Sequence, residues 1–296
     1  MNDTLSARDA APAATPQGPI HDRLRTADGL ELTSSRWPVA APARPRATIA
    51  LVHGLAEHAG RYQALAERLN AAGIELVSTD LRGHGRSPGR RAWIDHFDQY
   101  LLDADALVAR AARDNTPLFL MGHSMGGAIA ALYAIERAAG GPPLAGLILS
   151  SPALAPGRDV PRWMLALSRI VSRLWPGFPA LKIDAALLSR DPAVVGANRA
   201  DPLVHHDAVP ARTGAEILSA MERIERGRGA LRLPVLVYHG TADKLTEPDG
   251  SRVFGTQVGS PDRTLTLYEG GYHETMADLE RERVIGALLD WIAART

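Results

Sequence analysis

The feature that most constrains this chain is a rhythm. Apolar runs about one strand long recur, and segments with helical spacing lie between them. Residues 48–52, 74–78, 118–121, 144–150, 234–238 and 264–268 read as strands. Residues 61–72 place Tyr62, Leu65, Ala66 and Leu69 on one helical face, with Gly73 at the stop. Residues 97–113 do the same with Phe97, Tyr100, Leu101, Ala104 and Val108. Residues 125–138 and 280–294 also read as helices, and 253–258 as a rougher one. Strands that are apolar at nearly every position are buried on both faces. A mostly parallel sheet with helices on each side achieves this. Ahead of it, residues 23–26 and 31–37 flank Asp28-Gly29 and read as a hairpin, followed by a Pro- and Ala-rich linker at 38–45.

From residue 153 to 228 the rhythm stops. This stretch is Pro-punctuated and helical, with no strand pattern. A helical insertion in such a sheet is expected to be a lid over the site. The expected organisation is therefore a disordered extension at 1–20, a core formed by 21–152 and 229–296, and a lid at 153–228. Within the lid, residues 162–175 are apolar over most of a helix surface (Trp163, Leu167, Ile170, Val171, Leu174), with Arg162, Arg169 and Arg173 on another side. Such a helix can lie in a membrane interface or line an acyl channel, or it can pack its apolar side on the core.

Composition removes several functions. The 33 basic and 33 acidic residues balance, whereas a nucleic-acid binder needs a basic excess. The chain has no cysteine, which excludes disulfides, thiolate metal sites and a cysteine nucleophile. No His/Asp cluster suggests a metal, and no cofactor is expected. Residues 1–19 contain no apolar block of seven or more, and no segment has the length of a membrane span. The expected location is the cytoplasm, with peripheral membrane contact through the lid.

The strongest chemical signal is Gly122-His123-Ser124-Met125-Gly126. It follows an apolar strand and opens a helix, the strand–turn–helix setting of a nucleophile elbow. A serine hydroxyl needs a base, and the base needs a carboxylate to orient it. On such a sheet the chain order is Ser, then Asp or Glu, then His. Asp243 follows the strand at 234–238 and His273 follows the strand at 264–268, so both reach the sheet edge that carries Ser124. Asp249 is a rival acid or a helix cap, and His205 and His206 in the insertion are rival bases. The loop His53-Gly54-Leu55-Ala56-Glu57-His58 follows the 48–52 strand. Leu55 N–H is the expected oxyanion donor beside Met125 N–H, with His53 a structural brace.

Several stretches together resemble the monoacylglycerol lipase and lysophospholipase group of α/β-hydrolases. They are HGLAEHAGRY (53–62), STDLRGHGRSPG (78–89), GHSMGG, GTADKLT around Asp243, YEGGYHE around His273, and residues 189–206 and 219–225 of the insertion. The similarity spans roughly residues 24–294. It implies an α/β-hydrolase fold with an inserted helical lid, and hydrolysis of a monoacylglycerol or similar medium- to long-chain ester through an acyl-enzyme. It implies Ser124 as nucleophile, Asp243 and His273 as its partners, and Leu55 and Met125 as oxyanion donors. It also implies that Glu57 and Arg61 shape the end that receives the glycerol head group, although their opposite charges could simply pair within the loop. Where that group often has a second histidine three residues after the first, this chain has Met276. A lysophospholipase, thioesterase or small-ester carboxylesterase would use the same triad. A non-catalytic ligand-binding homologue is the alternative of another class.

Overall fold

The computed structural model describes residues 18–158 and 160–296. The expected extension at 1–20 lies outside the described residues, except for its last three. Of these, Ile20 already belongs to the first strand.

The chain runs β1 (Ile20–Arg25), β2 (Glu31–Trp37), β3 (Ala47–Val52), α1 (Gln63–Ala71), β4 (Ile74–Thr79), α2 (Asp98–Ala111), β5 (Leu118–His123), α3 (Met125–Glu136) and β6 (Gly146–Ser150). Then come α4 (Arg162–Leu174), β7 (Pro179–Leu181), α5 (Pro192–Ala200), β8 (Val209–Pro210) and α6 (Ala211–Gly227). Last are β9 (Val235–Gly240), α7 (Pro248–Gln257), β10 (Arg263–Tyr268) and α8 (Arg281–Ala293). Eight strands form one sheet in the order β1-β2-β4-β3-β5-β6-β9-β10. Strands β4 to β10 of that sheet run parallel, and the β1–β2 hairpin joins β4 antiparallel.

Alternate residues of the central strands feed two separate cores. Ile49, Leu51, Phe119 and Met121 pack with Leu65, Leu69, Leu288 and Trp291 of α1 and α8. Ala50, Val52, Leu118 and Leu120 pack with Tyr100, Leu101, Ile129, Leu132 and Ile224 of α2, α3 and α6. Side chains on a strand alternate between faces, so a sheet with two covered faces needs apolar residues throughout.

Three departures from the sequence reading have local causes. β1 begins at Ile20 rather than residue 23, because the hairpin register continues to Ile20 opposite Arg36. The added residues, Ile20, His21 and Asp22, are exposed and two of them are polar, which hid them. Helix α7 begins at Pro248, five residues before the expected start, because Glu247 caps it by accepting from Asp249 N–H, with Pro at the first helical position. Asp249 is therefore a first-turn residue and not the cap. The insertion is also not free of strands, since β7 and β8 pair antiparallel.

A buried ion network ties the hairpin to the sheet. Arg82, after β4, donates from Nη2 to Asp103 Oδ1 of α2 at 2.7 Å and from Nη1 to Asp28 Oδ2 of the hairpin turn at 2.7 Å. Asp103 is fully buried.

Candidate active site

The parallel strands end on one edge, and the loops leaving β3, β5, β9 and β10 meet there. Ser124 follows β5 directly, with φ 57° and ψ −121°, a conformation strained for any residue but glycine. The turn is locked by Ser124 N–H on Ser150 C=O at 3.0 Å and by Ala153 N–H on Ser124 C=O at 2.9 Å. Its tightness explains Gly126: a Cβ there would sit 2.1 Å from the Val52 carbonyl oxygen. Met125 is the first residue of α3, so its N–H has no partner within the helix. Leu55 N–H likewise meets no acceptor among the described residues. Leu55 and Met125 line the cavity that holds Ser124.

The loops after β9 and β10 are stitched to each other. Ala242 N–H donates to Gly271 C=O at 3.0 Å, and Gly270 N–H donates to Thr241 Oγ1 at 2.8 Å. A Cβ on Gly240 would lie 2.2 Å from the Gly271 carbonyl oxygen. This crossing carries Asp243 to His273, whose Nδ1 donates to Asp243 Oδ2 at 2.7 Å. Asp243 also accepts from Leu245 N–H at 2.7 Å, Thr246 N–H at 3.1 Å, Thr246 Oγ1 at 2.8 Å and His239 Nε2 at 3.0 Å. Burial alone would raise the Asp243 carboxyl. The adjoining His273 and His239 outweigh it and hold the group well below the usual carboxylate range. Among the described residues no hydrogen bond joins Ser124 to His273, although both line one cavity. Contacts of this kind often tighten only when substrate binds.

The cavity of about 120 Å³ around Ser124 and His273 is lined by two unlike sets of side chains. One is apolar, with Leu181, Ile183, Leu188 and Ile217. The other carries Glu57, Arg61, Asn198 and Glu274. Glu57 Oε1 accepts Gly54 N–H at 2.5 Å and Tyr62 Oη–H at 2.7 Å, and Oε2 accepts Arg61 Nη1 at 2.6 Å. Burial opposes ionisation of Glu57, but the Arg61 charge prevails and holds the carboxyl down to about 2. The pairing of Glu57 with Arg61 that the sequence left open is real, and both residues also line the cavity.

Sequence reasoning missed four neighbours. Glu274 directly follows His273 and binds Arg61. Thr246 and His239 hold the acid. The His123 ring lies 4.7 Å from that of His273 and is kept neutral, at about 3, by burial and by the neighbouring His273 ring. Each sits within four residues of a predicted site residue, which is the signal that would have found them. His53 is the brace that was expected: Nε2 accepts Leu81 N–H at 2.9 Å and Nδ1 donates to Gly54 C=O at 2.7 Å. His205 and His206 line the cavity, but Asp243 is paired with His273 and His239.

Residues 43–280 match the family described as serine aminopeptidase, S33. A monoacylglycerol lipase of Mycolicibacterium smegmatis is 38% identical over 252 residues, which is 84% of this chain and 89% of that protein. The chain belongs to the monoacylglycerol lipase group of α/β-hydrolases. The monoglyceride lipase of Homo sapiens is 33% identical over 97% of this chain and 96% of its own length. Among solved structures of the group, a monoacylglycerol lipase of Paleococcus ferrophilus superposes with a TM-score of 0.79 at 34% identity, covering 90% of this chain and 100% of that one. The mostly parallel sheet flanked by helices is the α/β-hydrolase fold expected from the sequence.

Proposed function

We propose that this serine hydrolase cleaves the acyl ester of a monoacylglycerol through an acyl-enzyme. The observation that carries the reading is the mixed lining of the cavity at Ser124. Its apolar side chains suit an acyl chain, and its buried charged cluster suits a hydroxylated leaving group. Ser124 Oγ attacks the ester carbonyl carbon while His273 Nε2 takes the hydroxyl proton. Asp243 fixes the imidazole through Nδ1–H and stabilises its cationic form. Leu55 and Met125 N–H groups bind the oxyanion. As the tetrahedral intermediate collapses, the C–O bond to glycerol breaks and His273 returns its proton to the departing alkoxide. Water, deprotonated by His273, then releases the fatty acid and regenerates Ser124. Glu57 and Arg61 form the wall against which the glycerol lies.

The amphiphilic substrate has to be drawn from a lipid surface, and α4 is suited to meet one. Trp163, Ile170 and Leu174 are 64%, 54% and 80% exposed. The inward face of α4 is formed by Leu165, Ser168 and Val171, which are half-buried, and Ser172, which is buried. Among the described residues no helix is long and apolar enough to cross a membrane, so the contact we propose is peripheral.

An ester panel tests the reading. Monoacylglycerols, lysophospholipids, acyl thioesters and p-nitrophenyl esters of matched chain length are compared with aminoacyl arylamides, alongside fluorophosphonate labelling of Ser124. The expected result is labelling of wild type but not of Ser124→Ala, with the highest kcat/KM on monoacylglycerol. Faster cleavage of an aminoacyl arylamide would overturn the lipase reading in favour of peptidase chemistry.

A further inference from the structure

The wall between the catalytic cavity and its neighbour carries one more acid than it needs. A second cavity of about 300 Å³ lies behind the first, and Glu57, Arg61, His123, Asn198 and Glu274 line both. Arg61 is the guanidinium of this wall. Its Nη1 donates to Glu57 Oε2 at 2.6 Å, which already balances its charge. Its outer edge is then taken by Glu274, through Nη1 to Oε1 at 2.6 Å and Nη2 to Oε2 at 3.0 Å. All three side chains are largely buried, with relative exposures of 14%, 7% and 10% for Arg61, Glu57 and Glu274. The Glu274 backbone is fixed as well, its N–H donating to Leu188 C=O at 2.8 Å. A further acid lining the second cavity, Asp201, is paired with His58 at 2.8 Å.

Two consequences follow from chemistry alone. Two carboxylates against one guanidinium leave the wall with surplus negative charge, and water penetrates too little to screen it fully. The paired N–H groups of an Arg edge are also the geometry that best grips phosphate, and here a carboxylate occupies them.

We propose that Glu274 is a specificity-determining residue. It occupies the phosphate-binding edge of Arg61, charges the leaving-group wall negatively, and so excludes acyl esters whose alcohol carries a phosphate. The inference rests on the reading that the leaving alcohol faces this wall. It refines that reading, because a neutral glycerol and an anionic glycerol phosphate are separated by one side chain outside the triad.

The test compares 1-decanoylglycerol with 1-decanoylglycerol 3-phosphate, both kept below their critical micelle concentrations, with p-nitrophenyl decanoate as a measure of triad integrity. Wild type, Glu274→Gln and Glu274→Asp are assayed for kcat and KM. Wild type is expected to prefer the neutral ester. Glu274→Gln should narrow that preference about tenfold or more, chiefly through KM for the phosphate ester, and Glu274→Asp should restore it. A ratio of kcat/KM for the two glycerol esters that is the same in all three proteins overturns the inference and leaves the lipase reading intact. Equal use of both esters by wild type does the same. Should Glu274→Gln fail to fold, Glu274→Ala takes its place: a preference unaltered by removing the carboxylate overturns the inference. Cleavage of the p-nitrophenyl ester without cleavage of decanoylglycerol overturns the lipase reading, and the inference with it.

Discussion

At the scale of single residues, the proposed chemistry depends on one carboxylate gripped from five sides. Ser124→Ala is expected to lower kcat by about four to six powers of ten, and Asp243→Asn by about four. Asp249→Asn should leave kcat/KM near wild type, since Asp249 caps nothing and is paired with the surface residues Arg158 and Arg252. The reverse pattern would move the acid to Asp249. Glu57 makes a second, thermodynamic prediction. Its carboxyl sits at about 2 in the fold, against an ordinary value near 4.5. A depressed folded value stabilises the protein above the unfolded pKa, and that contribution is lost as pH falls from 4.5 towards 2. The shift corresponds to roughly 3 kcal/mol. In urea titrations, Glu57→Gln should be less stable than wild type at pH 7, and the gap should close through that window. A constant gap would show that shape, and not charge, is what Glu57 supplies.

At the scale of elements, legibility followed burial. β3, β5 and β9 were visible because both faces are apolar, and α1, α2 and α8 because one face repeats with helical period. The elbow and the two strand-end loops were legible as well, since catalytic order on a parallel sheet is fixed along the chain. The start of β1 and the β7–β8 pairing were not, because exposed polar residues and two- or three-residue strands leave no periodic signal. Contacts such as Glu274 with Arg61 are separated by 213 residues and appear only once the chain is folded. Helix α4 was legible as amphipathic, with an exposed apolar side as one of its open readings, and that exposure carries a prediction. Trp163→Ser combined with Ile170→Ser should abolish most cosedimentation with anionic vesicles at low salt, while cleavage of a short soluble ester persists. Arg173→Glu should weaken binding further. Arg169 is a poorer choice, because it is paired with Glu222. Wild type that ignores vesicles at low salt would leave α4 without this role.

At the scale of the whole molecule, two cores on opposite faces of one sheet are held in register by contacts at its margins. Asp103→Ala would leave Arg82 buried with one of its two acids gone. Loss of one partner of a buried pair costs about 3–5 kcal/mol. The thermal midpoint should fall by roughly 10 °C. A change within a degree or two would mean that Asp28 alone suffices for Arg82.

The residues between β6 and β9 leave and rejoin the sheet on neighbouring strands, Leu149 lying opposite Val237 and Ser150 opposite Tyr238. The two strands run parallel, so this long excursion departs from one edge of the sheet after Ser150 and re-enters at the other edge at Val235, opposite Leu147. Lengthening it adds little closure entropy. Ser124, Asp243 and His273 all lie outside it, whereas Leu181, Ile183 and Ile217 of the apolar cavity lining lie within it. Descendants of such a scaffold can exchange this one segment and acquire a new appetite without relearning how to break a bond.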